Sequence, residues 1–363
     1  MKARGVIIVA PHFAEYSERL AAGLAEQVPT VLLVHSQNRA EQVDRPIASN
    51  ASVKAMPMNR RSHQFVAFIL AIYYSLVLRV RLVIIHEGVR QFLKPLVFLL
   101  RQFTHVAIIV HDPSAHSGSD SELAEESRRY RRWLREHADL LIVHGNHCRS
   151  ALIAQGFPEA RIVAINHGVL LTPDSSNVIL PDARRILMFG RMEAYKGLSV
   201  LLDAVALLEA RDVPLHVVVA GAGPEQKRLA QAMSMLRSVE AIDRYLAPQE
   251  LQREIARASF IVAPYVDATQ SGVLASTFGN GRPAIASDVG GLGDVVKHDV
   301  NGLLVPPGDP SALAAAIEQL LVDSFRTARL AAGARAFAET ELNWREIGAR
   351  ILAASGVPHN RRY

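Results

Sequence analysis

Arg185-Ile186-Leu187-Met188-Phe189-Gly190-Arg191-Met192-Glu193-Ala194-Tyr195-Lys196-Gly197 is the stretch on which the fold turns. An apolar run stops at a glycine, and beyond Gly197 come Leu198, Leu201, Leu202 and Val205 at helical spacing. The pattern predicts a strand, a tight turn and a helix start. A helix N-terminus presents free backbone amides, and Arg191 and Lys196 place two fixed cations beside it, so a phosphate or diphosphate is the natural guest. An ordinary loop with an exposed Arg and Lys fits this one segment equally well. Other segments break that tie.

The same rhythm extends in both directions. Before the stretch, Val6–Ala10, Thr30–Val34, Arg81–His86, His105–Val110, Asp139–Val143 and Arg161–Ile165 read as strands, with helical patterns between them. After it come Leu215–Ala220, Ser259–Ala263, Pro283–Ala286 and Gly302–Val305. Asp309-Pro310 marks a helix start, with Asp as N-cap and Pro at the first helical position. Residues 171–184 lose the periodicity and gather Pro, Ser, Asp and Asn, which predicts an interdomain linker. The fold class expected is α/β: two facing, Rossmann-like, doubly wound parallel-sheet domains. Their spans would be 1–172 for an acceptor- and membrane-facing domain, 183–340 for a nucleotide-sugar-binding domain, and 341–363 for a closing helix and tail. Ligands of open parallel sheets sit outside the carboxyl ends of the strands, so the residues just after strands carry the most information.

Composition narrows the class. The chain has 363 residues, half of them apolar, enough for two cored domains. Its single cysteine, Cys148, excludes an intrachain disulfide and a cysteine-based zinc site, and points to a reducing, cytoplasmic setting. The first ten residues read as a strand and not as a secretory signal, and the apolar stretch 65–78 is too short to span a bilayer. Residues 1–180 hold 20 Lys+Arg against 15 Asp+Glu, so the whole net charge of +5 lies in the first half. Within 51–111, Lys54, Arg60, Arg61, Arg79, Arg81, Arg90, Lys94 and Arg101 face Glu87 alone amid Phe, Leu and Tyr. That mixture predicts contact with the inner face of an anionic membrane. Arg128, Arg129, Arg131, Arg132 and Arg135 either extend the lipid-facing surface or pair with the glutamates around them. Nucleic acid is not an expected partner, because no recognition helix, zinc pattern or aromatic-basic sheet motif is present.

A second strand-to-helix junction, Ala263-Pro264-Tyr265-Val266-Asp267-Ala268-Thr269-Gln270-Ser271-Gly272-Val273-Leu274, has small residues that leave backbone amides open at a helix start. Capping by Thr269 or Ser271 without any ligand is the plain alternative. Placed beside Arg191 and Lys196, the junction would chelate a diphosphate. Together the segments Gly190-Arg191-x4-Lys196-Gly197, Ala220-Gly221-Ala222-Gly223-Pro224, Pro264-Tyr265-x3-Thr269-Gln270-Ser271-Gly272-Val273, Gly281-Arg282-Pro283 and Ser287-Asp288-Val289-Gly290-Gly291-Leu292-x-Asp294 resemble, in order, the retaining glycosyltransferases of family 4. The resemblance implies the GT-B fold, with a nucleotide-sugar held mainly by the C-terminal domain and no metal or other cofactor. It implies that Arg191 and Lys196 bind the donor diphosphate and stabilise the leaving nucleoside diphosphate. Gly190, Gly221, Gly223, Tyr245, Thr269, Gln270, Ser271, Gly272 and Val273 complete the donor set it implies. The family's usual glutamate pair falls on Ala268 and Ser276; a branch with an aromatic residue before Thr/Ser-Gln-Ser-Gly is the better likeness, and there Thr269, Gln270 and Ser271 would supply the sugar contacts.

In the first domain, His111, Asp112 and His116 follow a strand and make a sugar-facing group; the family's functional histidine maps to His111, as a hydrogen-bond partner of the donor sugar near its reacting carbon. His12, Asp112 and His116 are the acceptor-side candidates. His144 and His167 also end strands, and either line the ligand cleft or cap helices. The expected function is transfer of a sugar from a nucleotide-sugar to a lipid-linked surface glycan with retention at the anomeric carbon. The alternatives are a catalytically degenerate nucleotide-binding or complex-organising protein, which Ala268 and Ser276 motivate, and another GT-B enzyme such as a nucleotide-sugar epimerase or a phosphorylase.

Overall fold

A computed structural model describes residues 5–43, 47–113, 125–171 and 179–356. The chain divides into two compact units: the described residues up to Gly168 together with those from Asn343 onward, and those from Val169 to Leu342.

The first unit holds seven strands: β1 Val6–Ala10, β2 Thr30–His35, β3 Ser52–Met56, β4 Leu82–His86, β5 His105–Val110, β6 Leu140–His144 and β7 Ile162–Ile165. All pair in parallel, in the order β3-β2-β1-β4-β5-β6-β7. Strands β1, β2, β4 and β6 are buried from end to end, which is why they read as unbroken apolar runs. Only β3 escaped the sequence reading. It is a half-exposed edge strand, Ser-Val-Lys-Ala-Met, whose mixed surface carries no clear period. The helix Trp344–Ala354 packs on this unit: Asn343 caps it, and Gln27 donates to the Arg345 carbonyl at 2.8 Å.

The second unit repeats the plan with β8 Asp182–Phe189, β9 His216–Gly221, β10 Val239–Asp243, β11 Ala258–Ala263, β12 Ala284–Ser287 and β13 Gly302–Val305. Its parallel order is β10-β9-β8-β11-β12-β13. Again the unforeseen strand, β10 (Val-Glu-Ala-Ile-Asp), is a half-exposed edge. Asp309 caps the helix Pro310–Val322 through Ala312 N at 2.9 Å, as its Asp-Pro start implied. Of the predicted linker, residues 172–178 lie outside the described residues, and Asp182-Ala183-Arg184 already belong to β8.

In both units the chain reverses its winding direction once, between β1 and β4 and between β8 and β11. At such a switch point the helices on the two sides diverge and leave a crevice at the carboxyl ends of the strands.

Candidate functional site

In the second unit, the loops that follow β8 and β11 flank the switch point, and they are the two segments picked out by sequence. Backbone hydrogen bonds hold them to each other and to the loop after β9: Val266 N to Tyr195 O at 2.8 Å, Gly190 N to Ala220 O at 3.0 Å, and Met192 N to Ala222 O at 2.9 Å. Two glycines are obligatory. Gly197 sits at φ 70°, where a β-carbon would fall 1.9 Å from the Pro264 carbonyl oxygen, and Gly290 sits at φ 54° with 1.6 Å to that of Ala268.

Lys196 is buried, and its Nζ donates to the Tyr265 hydroxyl at 3.1 Å while lying 4.9 Å from the centre of that ring. Among the described residues it has no carboxylate partner. A buried ammonium without a counterion is costly, and its charge is available to an incoming anion. Gly190 keeps the approach open: a β-carbon there would stand 3.1 Å from Nζ. Arg191 is exposed on the same loop, and together with Lys196 it counteracts the rise that burial imposes on the Tyr195 hydroxyl pKa.

The helix Gly272–Gly279 begins at the β11 loop with Ser271 in the N-cap position, yet the Ser271 side chain makes no capping hydrogen bond. Ser271 Oγ and Gln270 Oε1 are buried without hydrogen-bond partners. Ser271 therefore fills the capping position without capping, and capping by Ser271, one form of the ligand-free alternative, loses its physical basis. Thr269 is buried beside it. Ala268 packs in an apolar cluster with Tyr265, Leu274 and Leu292, and Ser276 is buried in the helix. Gly221 and Gly223 have φ of 154° and 159° and lie against Gly190 and Met192. Tyr245 projects into solvent after the edge strand β10.

The first unit gathers a different chemistry at its strand ends. A histidine stands at or just past the carboxyl end of six strands: His12, His35, His86, His111, His144 and His167. The rings of His86 and His111 stack at 5.3 Å, His111 lies 5.1 Å from His144, and His144 lies 5.3 Å from His167. Tyr16 meets the last four edge-on at 5.3 to 5.4 Å, and Phe13 covers His111 at 4.0 Å. Burial pushes every one of these imidazoles down: His86 to about 3, His12 and His167 to about 4, and His111 and His144 well below the usual value. The group is neutral at pH 7.

The loop after β5 is clamped from below. Arg135 forms a bidentate pair with Glu87 at 2.6 and 2.8 Å and donates to the carbonyls of Pro113 and Asp112 at 3.2 and 3.3 Å. It is therefore a loop clamp and not a lipid contact. Its neighbours also pair within their helix: Arg128 and Arg129 with Glu125, Arg132 with Glu136. Predicted acceptor residue His12 packs against Gly88 beneath the Phe13 turn, Asp112 is half-buried, and His116 lies outside the described residues. Sequence reasoning overlooked His86, Tyr16 and Trp344. The recurrence of histidine at successive strand ends was the available signal.

Comparison with known proteins follows the same division. Two Rossmann-like parallel-sheet domains of this order define the GT-B fold, and Anabaena HepE, solved in complex with UDP, shares it with a TM-score of 0.72 at 18% identity over 98% of this chain and all of its own. Residues 183–323, most of the second unit, match the family model for glycosyl transferases group 1. A D-inositol 3-phosphate glycosyltransferase of Xylanimonas cellulosilytica is 37% identical over 50% of this chain and 44% of its own. The amylovoran biosynthesis glycosyltransferase AmsK of Erwinia amylovora is 28% identical over 64% and 59%. The chain thus spans about half the length of the curated relatives it matches.

Proposed function

We propose that the protein transfers a sugar from a nucleotide-sugar to a glycan acceptor, with retention at the anomeric carbon, and that the diphosphate of the donor is bound at the switch point of the second unit. The observation that carries this reading is the buried Lys196, without a carboxylate partner among the described residues, on the loop beside a helix start whose Ser271 does not cap it and where Ser271 Oγ and Gln270 Oε1 are unsatisfied. The ammonium, the backbone amides and the Ser271 hydroxyl are met by an anionic, oxygen-rich ligand, while Gln270 Oε1, an acceptor, calls for a donor such as a hydroxyl of the attached sugar. Lys196 and Arg191 would stabilise the negative charge that develops on the departing nucleoside diphosphate, and the fixed amides would do the same at no cost in reorganisation. His111 would hydrogen-bond the sugar. The glycosyltransferase names of the similar proteins agree with this reading, and AmsK's part in amylovoran biosynthesis agrees with transfer in a biosynthetic pathway.

The acceptor is proposed to be lipid-linked, at the cytoplasmic face of an anionic membrane. No described helix is long and apolar enough to cross a bilayer. Helix Arg61–Val77 instead exposes Phe65, Ile69, Tyr73 and Leu76, spaced for one face, with Phe98 and Phe103 exposed on the following segment. Arg79, Arg81, Arg90 and Lys94 lie in the intervening sequence, and each cation near anionic lipid contributes roughly 1 kcal/mol. Replacing these four by Gln should abolish cosedimentation with anionic vesicles while leaving donor hydrolysis intact.

The decisive test is a thermal-shift screen of nucleoside diphosphate sugars, followed by assay of nucleoside diphosphate release. Stabilisation by one donor with slow release supports transfer. Saturable stabilisation without release identifies a binding protein, and no stabilisation by any donor overturns the reading.

A further inference from the structure

The contacts around His86 fix hydrogen positions. Ser17 Oγ lies 2.6 Å from the Phe13 carbonyl oxygen and 3.0 Å from His86 Nε2. A carbonyl has no hydrogen to give, so the hydroxyl proton of Ser17 points at Phe13 and its lone pair faces His86. His86 Nε2 must then carry the hydrogen. A neutral imidazole has only one, which leaves His86 Nδ1 bare, and that atom lies 3.1 Å from His111 Nε2. The hydrogen in this second contact belongs to His111 Nε2. His111 is thereby left with a bare Nδ1.

That atom has no partner among the described residues, and it is absent from the fully buried unpartnered atoms although His144 Nδ1 and Nε2 are among them. His111 retains 9% exposure, so the ring is not fully enclosed. The start of the relay is itself built with strain: Phe13, a bulky residue, is held in the left-handed region at φ 57°, ψ 53°, where its carbonyl receives both the backbone and the hydroxyl of Ser17.

We infer that Ser17 and His86 are positioning residues, a two-step hydrogen-bond relay that holds His111 as its Nε2–H tautomer so that Nδ1 is presented to substrate as a hydrogen-bond acceptor. The chemical consequence is selective. A bare Nδ1 accepts from a hydroxyl, such as one on a sugar, and repels phosphate or carboxylate oxygen. The first unit's site is thus a hydroxyl reader, complementary to the anion site of the second unit. Burial, which lowers the pKa of both His86 and His111, keeps the relay neutral at the pH of the cytoplasm. The catalytic part of the inference rests on the glycosyl-transfer reading; the tautomer assignment does not.

The test separates the two. The full chain is labelled with 15N-histidine, and long-range imidazole correlations are recorded at pH 7 for the wild type, Ser17→Ala and Ser17→Thr, with His86→Gln and His111→Gln for assignment. The wild type should show His86 and His111 protonated at Nε2. Without the Ser17 acceptor, His86 is free to carry its hydrogen on Nδ1 and donate to His111 Nε2, so Ser17→Ala should shift His111 toward Nδ1–H, and Ser17→Thr should restore Nε2–H. In parallel, kcat/KM for donor turnover should fall roughly tenfold in Ser17→Ala, about the worth of one hydrogen bond, and recover in Ser17→Thr, while stabilisation by the free nucleoside diphosphate stays unchanged. An Nδ1–H wild-type His111, a tautomer unmoved by Ser17→Ala, or a tautomer shift with kcat/KM unaltered would each overturn the positioning role. A wild type that turns over no nucleotide-sugar defeats the transfer reading alone, since the tautomers are read without substrate.

Discussion

The two units share one strand order and place their loops at equivalent switch points, yet the chemistry gathered there is opposite. The second unit offers a buried cation, an exposed one and a helix start that its N-cap serine leaves uncapped; the first offers neutral imidazoles enclosed by aromatic rings. Topology decides where a ligand can sit, and side chains at the strand ends decide what it can be. One unit is suited to charge and the other to hydroxyl groups.

The most severe way to break this contrast is to remove the buried cation. Lys196→Ala should lower turnover by roughly 10² to 10³, the range seen when one preorganised transition-state donor is lost, with the fold retained. Release of nucleoside diphosphate from the donor measures it; near-normal release would deny Lys196 its role. Close behind is the backbone that supports the site. Gly290→Ala must displace the Ala268 carbonyl or its own left-handed turn, and should cost about 3 kcal/mol of stability, read as a fall in denaturant midpoint.

Acid should separate the units. For His86 and His167 the folded pKa values, about 3 and about 4, lie below the unfolded value, so at intermediate pH the unfolded chain binds more protons. Stability is complete above about pH 6.5 and is lost as pH falls toward 4, by up to about 1.4 kcal/mol per pH unit for each histidine. Both tryptophans, Trp133 and Trp344, belong to the first unit, so their fluorescence follows that unit alone. It should report acid unfolding before far-ultraviolet circular dichroism loses the remaining helix signal. Coincident transitions would remove the contrast. The mildest change is the most discriminating: Ser271→Ala deletes a buried hydroxyl that bonds nothing, so melting temperature should hold or rise slightly while nucleotide affinity drops a few-fold. A lower melting temperature would show that Ser271 caps its helix after all.

Sequence disclosed most of the frame because strands covered on both faces leave uninterrupted apolar runs, as in Val6–Ala10 and Ala258–Ala263. Edge strands β3 and β10 were hidden because one exposed face mixes Lys or Glu into a short segment. Lys196 and the Thr269–Val273 loop could be read because a turn between strand and helix is local in sequence. The failure of Ser271 to cap could not, since Ser at an N-cap normally bonds. Nor could the partnership of Arg135 with Glu87, 48 residues away, or the meeting of Ser17 with His86, 69 residues away; such contacts exist only once the sheet has aligned its strand ends. Arg135 shows the cost: judged by its neighbours it belongs to a solvated basic helix, and in space it clamps a loop.

The helix Trp344–Ala354 bears on biosynthesis. Gly23 lies so close to the Trp344 backbone that a β-carbon would meet its carbonyl oxygen at 2.2 Å, so the seal over the opening helix of the chain is made by residues translated more than 300 positions later. Vectorial synthesis therefore delivers the first sheet with part of its apolar surface uncovered, and the ribosome must complete the entire second unit before the first can close. A nascent chain arrested at Leu342 would be a client for chaperones, however well its second unit had folded.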